Sequence, residues 1–201
     1  MKIELTKVGK RFNREWIFRN FNYTFTSGVQ YAITGPNGSG KSTLLQVIAG
    51  AILQSEGTIQ FEGDDVVAEP YLTLSFAAPY LELIEEMTAT EFLSFHHTFK
   101  PLTKAIKNIL EEISLTPAAN KQIRYYSSGM KQRLKLAQAF FSETKVLMLD
   151  EPTTNLDAEG IALYHTLIKK YCDSRLVIVS SNELQEYDFC EEVLNINDYK
   201  S

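Results

Sequence analysis

The feature that most constrains this chain is the run Gly35-Pro36-Asn37-Gly38-Ser39-Gly40-Lys41-Ser42, which matches the pattern G-x-x-x-x-G-K-[ST]. It follows an apolar segment, 29–34, that predicts a strand, and it precedes a segment that predicts a helix over about 42–51. Glycines let the backbone approach a ligand and turn its N–H groups onto phosphate oxygens, and the helix adds its positive end. This strand, loop and helix indicate an α/β fold built around a phosphate-binding loop.

The polar residues of this loop have separate expected roles at a nucleotide. Lys41 supplies a mobile positive charge to the β and γ phosphates, the Ser42 hydroxyl can hold Mg²⁺, and Thr43 is placed to reach a phosphate oxygen. The alternative interpretation is a glycine turn that holds no ligand. The other loop residues expected to contact the nucleotide are Gly35, Asn37, Gly38, Ser39 and Gly40.

A second feature is the apolar segment 146–149, which ends in Asp150 and Glu151. A buried strand explains the apolar residues but not the two carboxylates. They are expected at the carboxyl end of a central strand, where open α/β sheets bind ligands. Asp150 suits a ligand of Mg²⁺, and Glu151 is a candidate general base for the water that attacks the γ phosphate.

A third feature, Tyr126-Ser127-Ser128-Gly129-Met130-Lys131-Gln132-Arg133, lies just before that strand. It resembles the signature of ATP-binding cassette (ABC) ATPases, L-S-G-G-Q followed by Q-R and a helix. The match consists of Ser127, Gly129, Gln132 and Arg133. A Ser-Ser-Gly turn that opens a helix presents N–H groups to an anion, although it also suits the N-cap of a core helix.

Other landmarks of that family follow in order along the chain. Asp157, in Asn155-Leu156-Asp157, is in the position of the D-loop. Phe12 is where the family places the aromatic ring that stacks on adenine, although, as bare residues, Phe12 or Trp16 would more often belong to the core. The resemblance implies a head-to-tail dimer in which the Lys41 loop of one subunit holds ATP. Ser127, Ser128 and Gly129 of the other subunit would cover that ATP.

Two departures from the family pattern bear on hydrolysis. Family members usually have a glutamine after the strand that here ends near Phe76, but Ala77-Ala78-Pro79 occupies that place. The family also ends its last catalytic strand with a histidine, and here Asn182 follows the strand. Asparagine can donate a hydrogen bond but cannot shuttle a proton. Glu151 and Asn182 remain the catalytic candidates, with ATP binding expected to be intact and hydrolysis slow.

The predicted fold class is α/β, with the core of a P-loop NTPase and a single domain over 1–201. The expected architecture is a mostly parallel sheet with flanking helices, an N-terminal antiparallel β part, and a helical insertion at about 80–140. Thr88 and Glu91 predict a capping box that opens a helix in this insertion. The predicted strands are 2–8, 16–25, 29–34, 57–61, 71–76, 146–149 and 176–179, and the later helices are 129–141 and 159–171.

Charge and hydropathy exclude some classes of function. The net charge is -5, and no Lys or Arg occurs between Ser42 and Phe99. That distribution is poor for a phosphate backbone, so nucleic acid is not an expected partner. The longest hydrophobic stretch, 44–53, is interrupted by Gln46 and Gly50, so no membrane span is predicted. Two cysteines, Cys172 and Cys190, favour a reducing, cytoplasmic location with ordinary thiols.

The resemblance implies the ATP-binding subunit of an ABC transporter, with ATP and Mg²⁺ as cofactors. Its expected partners are a separate transmembrane permease subunit and a second ATP-binding subunit, identical or different. It would lie in the cytoplasm, peripheral at the inner face of the membrane. The segment 80–84 is where the family docks its membrane partner, although Leu81, Leu83 and Ile84 could instead pack the helical part. The alternatives are a soluble ATP-driven clamp or slow nucleotide switch, and a P-loop kinase or GTPase.

Overall fold

The computed structural model describes residues 1–63 and 70–200; residues 64–69 and 201 lie outside this description. The strands are β1 (Lys2–Phe12), β2 (Glu15–Thr26), β3 (Gln30–Thr34), β4 (Glu56–Glu62), β5 (Leu74–Ala77), β6 (Val146–Asp150), β7 (Leu176–Ser180) and β8 (Glu192–Asn195). The α-helices are α1 (Lys41–Ile48), α2 (Pro70–Thr73), α3 (Ala89–His97), α4 (Ile106–Glu112), α5 (Ser128–Phe141), α6 (Ala158–Tyr171) and α7 (Leu184–Tyr187). Short 3₁₀ turns span Thr116–Ala118, Ile123–Tyr125 and Ile196–Tyr199.

The first sheet is antiparallel, with strand order β2-β1-β4. Alternate residues of β1, such as Ile3 and Leu5, are buried, because one face of this sheet packs on the core. Phe18, Phe21 and Phe25 of β2 are fully buried beside them. The predicted antiparallel β part at the N-terminus is therefore confirmed.

The second sheet has five parallel strands in the order β5-β6-β7-β3-β8. Every residue of β6 and β7 is buried, as expected for parallel strands covered on both faces. Ser180 of β7 pairs with Ile33 of β3 on one side and with Asp150 of β6 on the other. The loops that follow β3, β6 and β7 therefore leave the sheet at the same edge. The expected α/β class with a mostly parallel sheet is confirmed.

The helices α3, α4 and α5 pack through a shared apolar cluster that includes Leu93, Ile109 and Phe140. The predicted capping box is present at the start of α3. The Glu91 N–H donates to Thr88 Oγ1 at 3.2 Å, and the Thr88 N–H donates to Glu91 Oε2 at 2.8 Å. In the part of the chain that the structure describes, each helix is too short or too polar to cross a membrane.

The structure corrects several predicted element boundaries. The predicted strand 71–76 is wrong in its first half, because 71–73 belong to α2 and β5 begins at Leu74. Leu74 pairs with Val146, the first residue of β6, so β6 does not extend beside the preceding residues. Helix α1 ends at Ile48 rather than near Ala51, before Gly50 adopts φ +73°. Strand β8 and helix α7 were not predicted.

Candidate nucleotide-binding site

The loop between β3 and α1 has the backbone conformation that its glycines predict. Gly35, Gly38 and Gly40 have φ of +141°, +75° and +104°, a region that other residues rarely adopt. A Cβ atom at Gly40 would lie 2.4 Å from the Ile17 Cγ2 atom of the β1–β2 hairpin. Glycine at position 40 therefore serves both the turn and the close approach of β2.

Lys41, the first residue of α1, is buried inside this loop, with 4% of its surface exposed. Its Nζ donates hydrogen bonds to Gly35 O at 2.7 Å and to Pro36 O at 3.4 Å. Burial lowers the pKa of Lys41, while the charges of Glu151 and Asp150 act in the opposite direction. In the described chain no side chain caps α1, and its first turn contains no acidic residue. This arrangement leaves the positive end of α1 free to meet an anion.

The Asp150 carboxylate, at the end of β6, is 1% exposed. Within the described residues neither of its oxygens has a partner with full hydrogen-bond geometry, and the Tyr80 hydroxyl is near enough to interact with it. A buried carboxylate without a partner is costly in free energy. Oxygen donors of this kind are what Mg²⁺ prefers. The hydroxyls of Ser39 and Ser180 are likewise buried without a partner there, and Ser42 is half-buried at the start of α1. These donors fit a magnesium-bound nucleotide.

Glu151 follows Asp150 with φ +42°, a left-handed conformation that costs a non-glycine residue on the order of 1–3 kcal/mol. Its N–H donates to Ser180 O at 2.8 Å, and its carbonyl accepts from Thr154 N at 3.1 Å. These bonds hold the turn in which the chain leaves the sheet. The side chain of Glu151 is half-buried, beside the loop that contains Lys41.

Asn182 contacts the glycine loop directly, because its Nδ2 donates to Asn37 Oδ1 at 2.7 Å. Both side chains are exposed. They border a cleft of about 260 Å³ lined by Asn37, Glu151, Thr153, Thr154, Ser181, Asn182, Glu183 and Glu186. The structure thus brings the predicted residues Asn37, Glu151 and Asn182 together.

The residues 127–129 form the start of α5. Ser127 is its N-cap, and its Oγ accepts from Met130 N at 3.2 Å, while Ser127 and Ser128 are exposed. A Cβ at Gly129 would lie 3.1 Å from Asn155 O. Asp157 caps α6, accepting from Gly160 N at 2.9 Å. Within the described residues, the hydrogen bonds of Ser127 are local, and no hydrogen bond joins Ser127 or Gly129 to the loop 35–43.

The two aromatic candidates at the β1–β2 hairpin differ in their surroundings. Two guanidinium groups lie over the Trp16 ring, with Arg11 Cζ 5.5 Å and Arg19 Cζ 4.5 Å from its centroid. The Phe12 ring is 48% exposed, and Lys10 Nζ is 4.9 Å from its centroid. Of the two rings, Phe12 therefore has the more accessible face.

Sequence reasoning missed two residues near this site. Tyr80 was assigned to the docking segment, but its side chain lies near Gln46 and Asp150, and burial together with the Asp150 charge raises the pKa of Tyr80. Its position three residues after β5, beside β6, was the available signal. Glu186 on α7 was not singled out, although it is 2% exposed. Glu186 belongs to no recognisable sequence motif, and the helix that contains it was not predicted.

A glycine loop before a helix, an acidic strand end and a serine-capped helix, all set on a parallel sheet, define a P-loop nucleotide-binding domain. The family model described as "ABC transporter" matches residues 18–154 of the chain. The chain belongs to the ABC transporter family, as an ATP-binding cassette, which confirms the resemblance found in the sequence.

Individual relatives agree with this assignment. The chain is 31% identical to the ABC transporter ATP-binding protein YybJ of Bacillus subtilis, over 97% of this chain and 92% of that protein. It is 30% identical to the ABC transporter ATP-binding protein YhcH of the same organism, covering 95% of this chain but 65% of that longer protein. A solved dimeric structure of MJ0796, a bacterial ABC transporter cassette, superposes with a TM-score of 0.82 at 25% identity, over 96% of this chain and 94% of that one.

Proposed function

We propose that this chain is the Mg²⁺-dependent ATP-hydrolysing subunit of an ABC transporter. The observation that supports this most strongly is the convergence of Lys41, Asp150 and Glu151 at one edge of the parallel sheet. The Asp150 carboxylate there is buried without a partner of full hydrogen-bond geometry among the described residues. A phosphate loop alone would bind a nucleotide, but carboxylates beside it add the groups that hydrolysis needs.

In this proposal each residue of the site has one task. Lys41 and the N–H groups of loop 35–43 bind the β and γ phosphates, and Ser42 and Asp150 hold Mg²⁺. When bound, Mg²⁺ neutralises charge on the phosphate oxygens. Glu151 orients a water and accepts its proton as that water attacks the γ phosphate. Phe12 stacks on the adenine ring.

The proposed catalytic unit is a head-to-tail dimer, identical or mixed. The start of α5, with Ser127 and Ser128 exposed and Gly129 half-buried, places the N–H groups of its first turn where they can contact ATP on a second subunit. The backbone at Asn155 lies next to that helix start. Asp157 follows two residues later in the chain and belongs to the same proposed interface. Binding ATP closes the dimer, and hydrolysis opens it.

The proposed partner is a transmembrane permease, which would place the chain at the inner face of the membrane. A groove of about 410 Å³ lies between the end of α1, strand β5 and helices α3 and α5. It suits a docking helix, and its walls include Tyr71, Phe76, Leu81, His96 and Lys100. Tyr71 is 53% exposed, so the groove offers apolar surface. The segment 80–84 contributes Leu81 to this groove, whereas Leu83 is buried in the apolar cluster shared by α3, α4 and α5.

Purified protein tests the core of this proposal. Release of phosphate from ATP should require Mg²⁺, should stop in Glu151→Gln, and should be slow in the wild type because Asn182 replaces a histidine. ATP hydrolysis that continues at the same rate in Glu151→Gln would contradict the assignment of the base.

A further inference from the structure

Glu186 of α7 is a buried carboxylate to which the proposed chemistry gives no role. It is 2% exposed. Its Oε1 accepts from the Thr153 backbone N–H at 2.7 Å and from the Thr153 hydroxyl, and its Oε2 accepts from the Ser181 hydroxyl. In the described part of the chain no Lys or Arg forms an ion pair with it. Hydrogen bonds alone therefore satisfy this charge.

The donors belong to the two loops that contain the proposed catalytic residues. Thr153 lies two residues after Glu151, and Ser181 directly precedes Asn182. One carboxylate therefore joins the loop after β6 to the loop after β7. The Glu151 loop is held from its other side by Gln132, whose Nε2 donates to Pro152 O at 2.8 Å.

The left-handed backbone of Glu151 explains why such bonds matter. A residue in this conformation keeps it only when surrounding contacts hold it there. The contact between Asn182 and Asn37 likewise depends on where the loop after β7 lies. Releasing either loop would move a reacting group relative to the phosphate loop, and a displacement of about 1 Å can cost on the order of 100-fold in rate.

We propose that Glu186 is a positioning residue that fixes the loops of Glu151 and Asn182 relative to each other. The proposal rests on the proposed function. Oε1 of the carboxylate accepts from Thr153 and Oε2 accepts from the Ser181 hydroxyl, so the two ends of one side-chain group reach both loops. Glutamine would keep the bond from Thr153 N and could donate to the Ser181 hydroxyl, so it should preserve most of the connection.

Tyr164 provides a matched control. Its buried hydroxyl donates to the backbone carbonyl of Glu186 at 2.6 Å, so it fixes the same helix without touching the carboxylate. Tyr164→Phe removes one buried hydrogen bond at this place and leaves both loops connected. It therefore reports the cost of a purely structural change.

The experiment compares thermal unfolding, ATP affinity and single-turnover ATP hydrolysis in wild type, Glu186→Ala, Glu186→Gln and Tyr164→Phe. We expect Glu186→Ala to hydrolyse ATP about 10- to 100-fold more slowly, with ATP affinity within about 3-fold of wild type. Glu186→Gln should recover most of the rate, and Tyr164→Phe should keep it within about 2-fold while lowering the unfolding temperature.

Other results would overturn the proposal. Glu186 is merely structural if Glu186→Ala loses no more rate than Tyr164→Phe does. The same conclusion follows if the ATP affinity of Glu186→Ala falls by the same factor as its hydrolysis rate. If Glu186→Ala does not fold, Ser181→Ala cuts the second link, together with the bond that Ser181 Oγ accepts from Glu183 N at 2.8 Å. This variant should slow hydrolysis about 3- to 10-fold, and an unchanged rate there refutes the idea. A wild-type protein that binds no ATP would instead refute the proposed function.

Discussion

The Lys41 ammonium is enclosed by the carbonyl oxygens of its own loop, with the charges of Glu151 and Asp150 nearby. These hydrogen bonds hold the ammonium group inside the loop that is proposed to bind the phosphates. The identity of this one side chain should therefore decide whether the loop binds ATP.

Lys41→Ala should weaken ATP binding by at least about 100-fold, because hydrogen bonds between charged groups contribute about 1.5–3 kcal/mol each. Equilibrium titration with a fluorescent ATP analogue measures this. Lys100→Ala is a matched control, since Lys100 is a half-buried lysine that likewise donates to a backbone carbonyl, Leu74 O, at 2.8 Å. Unchanged affinity in Lys41→Ala would mean that the loop is not the nucleotide site.

Asn182 should limit the hydrolysis rate rather than ATP binding. Its Nδ2 donates to Asn37, so the side chain already reaches the phosphate loop, but it has neither charge nor a transferable proton. Asn182→His should raise the turnover number, because a polar contact to a transition state is typically worth ~10² to 10³ in rate.

Steady-state ATPase assays on wild type, Asn182→His and Asn182→Ala check this prediction. ATP affinity should change little in all three proteins. If Asn182→Ala is as fast as wild type and Asn182→His is no faster, position 182 has no part in catalysis here.

At the scale of elements, the sequence was enough to predict the functional residues that follow β3 and β6. Residues 35–42 and Asp150 with Glu151 form contiguous patterns at the ends of apolar segments, so local sequence was enough to predict the phosphate loop and the acidic strand end. Parallel pairing of β3, β7 and β6 then brings them to one edge. The sequence could not show that Glu186 joins two of these loops, because that contact depends on tertiary packing across 33 residues.

The errors in element boundaries have the same origin. Residues 71–73 have the composition of a strand, but the neighbouring strand β6 begins level with Leu74. Strand β8 is four residues long, and its pairing with β3 rather than its own pattern defines it. The capping box of α3, by contrast, depends on residues three apart, and sequence alone was sufficient to predict it.

The capping box also makes a prediction at this scale. Thr88→Ala removes the acceptor for Glu91 N and should lower the stability of the fold by about 1 kcal/mol, or roughly 2–4 °C in unfolding temperature. Calorimetry measures the shift. Thr166→Ala, within the exposed face of α6, is the control and should leave the unfolding temperature nearly unchanged.

At the scale of the whole molecule, the site is incomplete in one chain under the proposed mechanism. Within the described residues, Ser127 accepts its side-chain hydrogen bond from Met130, Gly129 lies against the Asn155 backbone, and no hydrogen bond joins either residue to the phosphate loop. A second copy would supply this helix start to ATP bound at Lys41. The dimer should therefore form only when ATP is bound and not hydrolysed.

The most direct test of this account is the mass of Glu151→Gln in Mg-ATP, measured by size exclusion with light scattering. The amide keeps the shape of the side chain and removes the base, so ATP should persist and the mass should be twice the 22.8 kDa of one chain. Without ATP, and in Glu151→Gln combined with Lys41→Ala, the mass should be that of one chain. A Glu151→Gln protein that binds ATP, remains monomeric and hydrolyses ATP normally would contradict both the role of Glu151 and the ATP-bridged dimer.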